Sequence, residues 1–193
     1  GIPALFLRVG FVGELGYELH VPASQGEALW DALMEAGNGN GIRPFGVEAQ
    51  RLLRLEKGHI IISQDTDGLS TPNEADMAWA ISRKKPYYVG MRSVAIQEAC
   101  GLKRKLVGFE LTNDAASTPK ECHLVIRGSA ITGRVTSIVR SPTLGKVIGL
   151  AYVAPDQAEP GTVIEIKTDS GQMVQAEVVK LPFYDADGAR QEM

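Results

Sequence analysis

Apolar and polar residues alternate at the start of the chain, and this period predicts a pair of β-strands over residues 3–12 and 16–22. The segment GELG, residues 13–16, lies between them and is typical of a hairpin connection. Because glycine adopts backbone conformations that a turn requires, we interpret these glycines as turn residues. In the second strand, Glu18 is expected on the face opposite Tyr17.

Helical patterns follow the strand pair. The motif S-x-x-E, at Ser24 and Glu27, is a capping box that predicts a helix start, and TPNE repeats this signature at Thr71 and Glu74. The predicted helices occupy about residues 24–37, 47–57, 71–81 and 93–100, and the apolar run HIII, residues 59–62, is expected to form a short buried strand.

The sequence changes character after residue 103. Over residues 105–183, short runs rich in Val and Ile alternate with Gly, Pro, Asp and Ser, as in KLVGFEL, KVIGLAYV and MVQAEVVKL. This spacing is typical of a small all-β sandwich or barrel, and TDSGQ, residues 168–172, favours a hairpin turn within it. We therefore expect an α+β chain of two parts, residues 1–103 and 104–193.

Composition narrows the class of protein. The 193 residues are 44% hydrophobic and 22% charged, which is ordinary for a globular protein in water. The net charge of −3 and the scattered basic residues argue against nucleic acid or an anionic membrane as a partner. No apolar run approaches the roughly 20 residues that span a bilayer. The chain starts at Gly1 directly in strand-like sequence, which favours an internal segment of a longer protein.

Two cysteines, Cys100 and Cys122, are too few for a disulfide framework. Their number favours a reducing compartment, and we expect a cytoplasmic protein in which both thiols are buried and inert.

The chain lacks the sequence motifs of several common nucleotide-binding, hydrolytic and metal sites. The chain has no G-x-x-x-x-G-K-[ST] phosphate loop, no G-x-G-x-x-G after a strand and no G-x-S-x-G. His20, His59 and His123 do not have the spacing of metal ligands. DTDG, residues 65–68, resembles the start of a calcium loop but lacks the later ligands. We therefore predict no metal site.

Glu18 has two interpretations. It is a surface acid if its strand face meets only solvent. If that face lines a cleft, its carboxylate can accept two adjacent N–H bonds, and an amino-pyrimidine edge presents such a donor pair.

Two further groups are expected to be structural. Glu48, Arg51 and Arg54 lie three residues apart on one side of the second helix, and the simplest interpretation is a solvated charged face. Met77 and Trp79 are expected in the core rather than in a binding site.

The order of the motifs resembles one known family. GFVGELGYELHVP, LWDALMEAG, IRPFGVEAQRLLRLEKG, TPNEADMAWAI, RKLVGFEL, VTSIVRSPTLGKVIGLAYV, PGT and VVKLPFYD follow one another as in the glycine-cleavage T-protein (aminomethyltransferase) family, over nearly the whole chain. Within this family, EKGHIIISQDTDG and GELGYE are similar to the T-protein-like region of the heterotetrameric sarcosine oxidase alpha subunit. Dimethylglycine dehydrogenases carry the same module.

The resemblance implies a three-lobed fold around a channel that binds tetrahydrofolate. Residues 1 to about 100 correspond to the second half of the folate-binding region, an antiparallel sheet with helices, and residues 104–185 to the C-terminal β-barrel. The first half precedes Gly1 in the family and carries the catalytic aspartate, so no catalytic residue is assigned in this chain. The implied partners are folate, an amine donor, and the missing half or other enzyme subunits.

The resemblance also places four cofactor-binding residues. Glu18 falls on the family glutamate that contacts the pteridine ring, and Phe11 lies where many T-proteins have a pocket tyrosine. Gln50 replaces an arginine of the family motif G-x-x-A-R-D. His59 lies where some T-proteins have another pocket tyrosine.

The implied function is tetrahydrofolate-dependent aminomethyl transfer as part of a larger enzyme. One alternative is the folate-binding module of an oxidoreductase of the sarcosine oxidase alpha or dimethylglycine dehydrogenase type. Another is a non-enzymatic assembly module like the folate-binding proteins of iron–sulfur maintenance. Those proteins carry K-G-C-Y-x-G-Q-E, whereas KGHIIISQD here lacks the cysteine.

Overall fold

The computed structural model describes residues 1–112 and 118–192, and it confirms the α+β class. A strand pair with helices precedes a closed six-stranded barrel. The strands are β1 (Leu5–Arg8), β2 (Tyr17–His20), β3 (Lys105–Leu111), β4 (Leu124–Arg127), β5 (Ala130–Ser141), β6 (Lys146–Val153), β7 (Val163–Lys167) and β8 (Met173–Val179), and the α-helices are α1 (Gly26–Gly37), α2 (Val47–Glu56) and α3 (Met91–Cys100).

The predicted strand pair forms, but its connection is longer than GELG. Strands β1 and β2 are antiparallel, with Leu5 opposite His20 and Arg8 opposite Tyr17. The first strand thus ends at Arg8 rather than at residue 12. The connection continues through Gly13, whose φ of 79° lies in the left-handed region that a strand cannot contain.

Helix α1 begins later than its sequence signature predicts. The chain first forms a 3₁₀ turn over Ala23–Gln25, and α1 starts at Gly26 without a side-chain cap. The predicted capping box of Ser24 and Glu27 is therefore wrong. The predicted end at Gly37 is confirmed, because a further 3₁₀ turn follows it.

Helices α2 and α3 form where they are predicted. Helix α2 stops before Gly58, which has a φ of 72° and donates its N–H to the Leu55 carbonyl over 2.8 Å. Helix α3 begins two residues before the predicted position, at Met91.

The predicted third helix does not form, although its capping box does. The Thr71 N–H donates to a Glu74 carboxylate oxygen over 3.2 Å, and the Glu74 N–H donates to Thr71 Oγ1 over 3.3 Å. Asp76 then adopts a φ of 58°, which breaks the helical hydrogen-bond series, and a short 3₁₀ turn at Ala78–Ala80 follows.

The HIII segment is not a buried strand either. Residues 59–62 make no strand pairing, and Ile62 is 72% exposed. Instead, the N–H groups of Gln64 and Asp65 both donate to the Ile61 carbonyl, and Ser63 has a φ of 76°. A β-branched run becomes a strand only where a neighbouring strand can pair with it.

The β-rich half closes into an antiparallel barrel with the strand order β3-β6-β5-β4-β7-β8, in which β8 returns to pair with β3. The predicted turn at residues 168–172 is present, with the Thr168 N–H bonded to the Gln172 carbonyl over 2.9 Å. The core of the barrel consists of Val107, Phe109, Val125, Val135, Ala151, Val153, Ala158, Ile164, Ile166, Ala176 and Val178.

A second apolar cluster joins the two halves. Leu55 of α2 packs against Leu106, Ile148, Leu150 and Tyr152 on the outside of the barrel. Each of these side chains is at most 2% exposed. This contact fixes α2 to strands β3 and β6.

Buried apolar residues are distributed unevenly along the described chain. Among the buried hydrophobic residues, Leu55 and Ala75 alone precede residue 104. The same half exposes many large apolar side chains, namely Leu5, Phe6, Leu7, Val9, Tyr17, Trp30, Leu33, Ile42, Phe45, Val47, Ile62, Leu69, Trp79, Tyr87, Val89, Met91 and Ile96. The first half therefore has little core of its own.

The expected burial of the cysteines is wrong, because Cys100 and Cys122 are both free and exposed. Within the described ranges, no helix is long and apolar enough to cross a membrane.

Since the barrel contains nearly all of the core, we expect a fragment of residues 104–185 to fold alone. Its circular dichroism should be that of a β-protein, and its thermal melt should be cooperative. A helical or unfolded spectrum would show that the barrel needs the first half.

Candidate functional site

An open cleft of about 550 Å³ lies where the two halves meet. The β1–β2 connection, the segment after α2, the turn after residue 74 and the chain beyond β8 all contribute to its wall. The side chains that give it its character are Phe11, Lys57, His59, Asp76, Met77 and Trp79. Its wall is mainly aromatic and apolar, with one cationic and one anionic group.

Two of the predicted site residues meet in this cleft. Their ring planes are inclined by 27°, with 6.1 Å between the centroids of Phe11 and His59. The imidazole Nδ1 of His59 lies 2.8 Å from the Phe11 carbonyl oxygen. Residues 48 positions apart in the chain therefore form one side of the cleft as a unit.

Trp79 and Met77 form another part of the wall. The expectation that both belong to the core is wrong for Trp79, which is 79% exposed, and Met77 is only partly buried. The indole is accessible because the turn at Asp76 replaces a helix and directs the following residues to the surface.

The other two predicted site residues lie outside the lining of this cleft. Glu18 is half-exposed on β2, and its Oε2 lies 2.9 Å from Nε2 of His20. Gln50 is partly buried in the first turn of α2, where its N–H donates to the Gly46 carbonyl over 3.3 Å. Their binding roles stay predictions.

A buried ion pair between Arg54 and Asp65 holds the segment that carries His59. Arg54 of α2 is 1% exposed, and its Nη1 donates to Asp65 Oδ2 over 2.7 Å. The same nitrogen donates to the His59 carbonyl over 2.9 Å, while the His59 N–H donates to the Arg54 carbonyl over 2.9 Å. The backbone of His59 is thus held at both of its polar groups by one arginine residue.

The barrel completes this network. Thr136 Oγ1 and Ser137 Oγ each donate to Asp65 Oδ1 over 2.6 Å, and Arg54 Nη2 donates to Ser137 Oγ over 2.7 Å. Among the described side chains, Arg54 Nε is one of the few buried polar atoms without a partner. Charge neutralisation and shared hydrogen bonds make the burial of Arg54 and Asp65 possible.

Glu56 makes a second polar contact between α2 and the barrel. It is 3% exposed and accepts hydrogen bonds from Ser141 Oγ over 2.6 Å and Thr143 Oγ1 over 3.2 Å. The predicted solvated face of α2 is therefore wrong for Arg54, although Arg51 remains partly exposed and contacts Glu121 over 3.1 Å. Helix α2 packs against the barrel through three consecutive buried residues, Arg54, Leu55 and Glu56. Consecutive residues point in different directions on a helix, so this run of polar, apolar and polar side chains is the sequence signal that the end of α2 is enclosed.

The acidic residues of DTDG are both engaged by cations. Asp65 pairs with Arg54, and Asp67 receives hydrogen bonds from Ser70 Oγ over 2.8 Å and from Arg104 Nη2 over 3.2 Å. These bonds, first that of Ser70 and then that of Arg104, hold the pKa of Asp67 well below its usual range. In the part of the chain that the structure describes, no group of three His, Cys, Asp or Glu residues is arranged to hold a metal ion.

Family models match almost the whole chain. Residues 1–85 match the model described as GCVT N-terminal domain. Residues 104–185 match the Glycine cleavage T-protein C-terminal barrel domain, and the barrel strands β3–β8 lie within this range.

Similar curated proteins include aminomethyltransferases and sarcosine oxidase alpha subunits. An aminomethyltransferase of Halothermothrix orenii is 39% identical over 95% of this chain and 50% of its own length. A sarcosine oxidase subunit alpha of Corynebacterium sp. is 34% identical over 100% of this chain and 20% of its own length. The chain thus spans about half the length of the aminomethyltransferases it matches and a fifth of the oxidase subunits.

A solved structure has the same fold. The crystal structure of glycine cleavage system aminomethyltransferase T from Bartonella henselae matches with a TM-score of 0.82 and 24% identity, over 92% of this chain and 49% of that chain. This similarity extends across both halves of the described chain.

Proposed function

Since the chain belongs to the glycine-cleavage T-protein family, we propose that it is part of a larger enzyme that transfers a one-carbon unit from an amine donor to tetrahydrofolate. The observation that carries this proposal is the aromatic cleft, in which Phe11 and His59 form one side and Trp79 another. Apolar clefts with a few polar groups are the usual sites of small cofactors.

The cleft has the chemistry that a folate requires. A pteridine or benzoyl ring is flat and can lie against the exposed indole of Trp79 or the ring of Phe11. Tetrahydrofolate itself carries the one-carbon unit, so the contribution of the chain is to bind and orient it and to exclude water. No residue of the described chain is assigned the proton transfer.

Glu18 is proposed to recognise the amino-pyrimidine edge of the pterin. A carboxylate accepts N–H bonds from both the ring nitrogen and the exocyclic amine, and such charge-assisted bonds are worth about 1.5–3 kcal/mol each. In the structure its carboxylate is half-exposed, and its Oε2 lies 2.9 Å from Nε2 of His20. It is therefore accessible to a ligand.

In the longer protein that carries this chain, Glu18→Gln should weaken tetrahydrofolate binding by about 2–4 kcal/mol, or roughly thirty- to a thousandfold. An amide has one acceptor and one donor, so one of the two N–H groups would face another donor. Isothermal titration measures the affinity.

The matched control is Glu27→Gln, on the exposed side of α1, which should leave the affinity unchanged. Equal affinities of the two variants would show that Glu18 does not bind the pterin and is a surface acid.

We also infer that the exposed apolar surface of the first half is covered by further polypeptide of the larger enzyme. The aminomethyltransferase relatives are about twice as long as this chain, and a two-stranded sheet such as β1–β2 is marginally stable without additional packing. The family resemblance assigns the catalytic carboxylate to that additional polypeptide.

The 193-residue chain alone should therefore show no transfer of a protein-bound aminomethyl group to tetrahydrofolate, whereas the longer protein should be active. Product formation is followed by the appearance of the methylene-bridged folate. Turnover by the isolated chain would refute the assignment of the carboxylate to other polypeptide.

A second candidate function is the one-carbon-accepting module of a sarcosine-oxidase-type enzyme. The observation in its favour is that the oxidase alpha subunits match 100% of this chain at 34% and 36% identity. Purified longer protein that contains flavin and reduces oxygen in the presence of sarcosine would favour this function. Folate binding without either activity would favour an assembly module. A cytoplasmic location stays a prediction that cell fractionation tests.

A further inference from the structure

The hydrogen bond between His59 and Phe11 determines which tautomer His59 adopts. A carbonyl oxygen can only accept, so the His59 Nδ1 that lies 2.8 Å from the Phe11 oxygen carries the hydrogen. In the neutral ring, Nε2 then has a free lone pair and acts as an acceptor.

This Nε2 atom is open to a ligand. It has no hydrogen-bond partner among the described residues, and it is absent from the buried side-chain atoms that lack partners. His59 is itself only partly buried and lines the cleft, so this nitrogen is an exposed acceptor on a residue of the cleft wall.

The ring cannot easily turn away from this position. The Arg54 residue binds both the N–H and the carbonyl of His59, each over 2.9 Å, and Arg54 is itself fixed by Asp65 over 2.7 Å. The imidazole is further held by Phe11. A side chain that is fixed at its backbone and at one ring nitrogen loses little freedom when the other nitrogen binds a ligand.

The remaining polar groups of the cleft do not duplicate this acceptor. Lys57 is a donor, and its Nζ already contacts the carbonyl and the carboxylate of Asp185 over 2.6 and 3.1 Å. Asp76 is an acceptor that carries a negative charge. In the neutral imidazole, His59 Nε2 is thus an uncharged acceptor on a cleft wall that is mainly aromatic and apolar.

The geometry points to His59 as the residue that distinguishes reduced from oxidised pterins. Its Nε2 accepts a hydrogen bond from a ring N–H of tetrahydrofolate, at N5 or N8. Folic acid has lone pairs at both of these positions, so the same contact would bring two acceptors together. This role rests on the proposed function, and it adds the oxidation state of the cofactor as the property that is recognised.

The test compares tetrahydrofolate with folic acid on the longer protein that carries this chain. The wild type should bind tetrahydrofolate about three- to tenfold more tightly through this one bond. In His59→Asn, whose amide N–H can still donate to the Phe11 carbonyl, the ratio of the two affinities should fall by that factor. His123→Asn, on the barrel and outside the cleft, should leave the ratio unchanged.

A measurement on the unsubstituted protein covers the case in which His59→Asn does not fold. With ¹⁵N-labelled histidine, the Nε2 resonance of His59 should be that of an unprotonated nitrogen. It should shift toward the hydrogen-bonded value when tetrahydrofolate is added, but not when folic acid is added.

The outcomes separate the two proposals. Tetrahydrofolate binding with an unchanged affinity ratio in His59→Asn, or with an unchanged Nε2 resonance, overturns the role of His59 and leaves the proposed function intact. No binding of either probe to the wild type overturns both.

Discussion

Replacing Asp65 by alanine is expected to lower the free energy of unfolding of the chain by about 3–5 kcal/mol. The substitution leaves the guanidinium of Arg54 buried without a counter-charge, and it removes the acceptor for Thr136 and Ser137. Urea unfolding followed by circular dichroism measures the change.

The matched control is Asp31→Ala, an identical replacement on the exposed surface of α1, which should change stability by less than about 0.5 kcal/mol. Removing both charges in Asp65→Ala with Arg54→Met should recover part of the loss, since a buried ion pair contributes little beyond the penalty of leaving one partner alone. A loss below about 1 kcal/mol for Asp65→Ala would mean that the pair is solvated.

The consequences of Asp65→Ala should extend to the cleft. Arg54 binds the backbone of His59, and Asp65 orients Arg54. The segment after α2 also depends on Asp65 directly, because the Ile61 N–H donates to its Oδ2 over 2.8 Å. One carboxylate thus links the barrel, the helix and the wall of the candidate site.

Phe109→Ala is expected to destabilise the chain by a similar amount, about 3–5 kcal/mol, because it removes a ring from the closed barrel core. Phe109 is 0% exposed, and it lies opposite Gly149 of β6 in the strand register. A Cβ atom at Gly149 would lie 2.4 Å from the Phe109 ring, so the missing side chain of the glycine makes room for the aromatic one. The cavity left by alanine is enclosed by strands and cannot collapse readily.

Phe45→Ala serves as the comparison, since Phe45 is 67% exposed. Its loss should change the urea midpoint of the 193-residue chain by little, corresponding to no more than about 0.5 kcal/mol. Similar effects of the two substitutions would indicate that Phe45 is packed in solution, or that the barrel is less tightly filled than the structure shows.

The candidate site was only partly predictable. The family resemblance selects Phe11 and His59, and the structure brings them together in the cleft. The resemblance also selects Glu18 and Gln50, but neither residue lines this cleft in the described structure. The sequence predicts Trp79 in the core, whereas it is 79% exposed in the structure. Its exposure follows from a backbone turn that propensity does not reveal.

The sequence by itself determined the elements whose signals are local. The six barrel strands follow from short runs rich in Val and Ile between turn residues, and α2 follows from helical periodicity with Gly58 as its stop. In these segments the local signals agree with the tertiary structure, because the barrel runs find neighbouring strands to pair with and the glycine stop matches the end of the helical period.

Only the tertiary structure decided what depends on partners distant in the chain. Arg54 has the same local pattern as the partly exposed Arg51, yet it is buried, because Asp65 neutralises its charge and Ser137 accepts a hydrogen bond from it, both from other segments. The capping box at Thr71 forms without a helix, because capping satisfies only the first turn and the chain then takes another path. Local propensities differ by less than about 1 kcal/mol per residue, so a few buried tertiary contacts outweigh them.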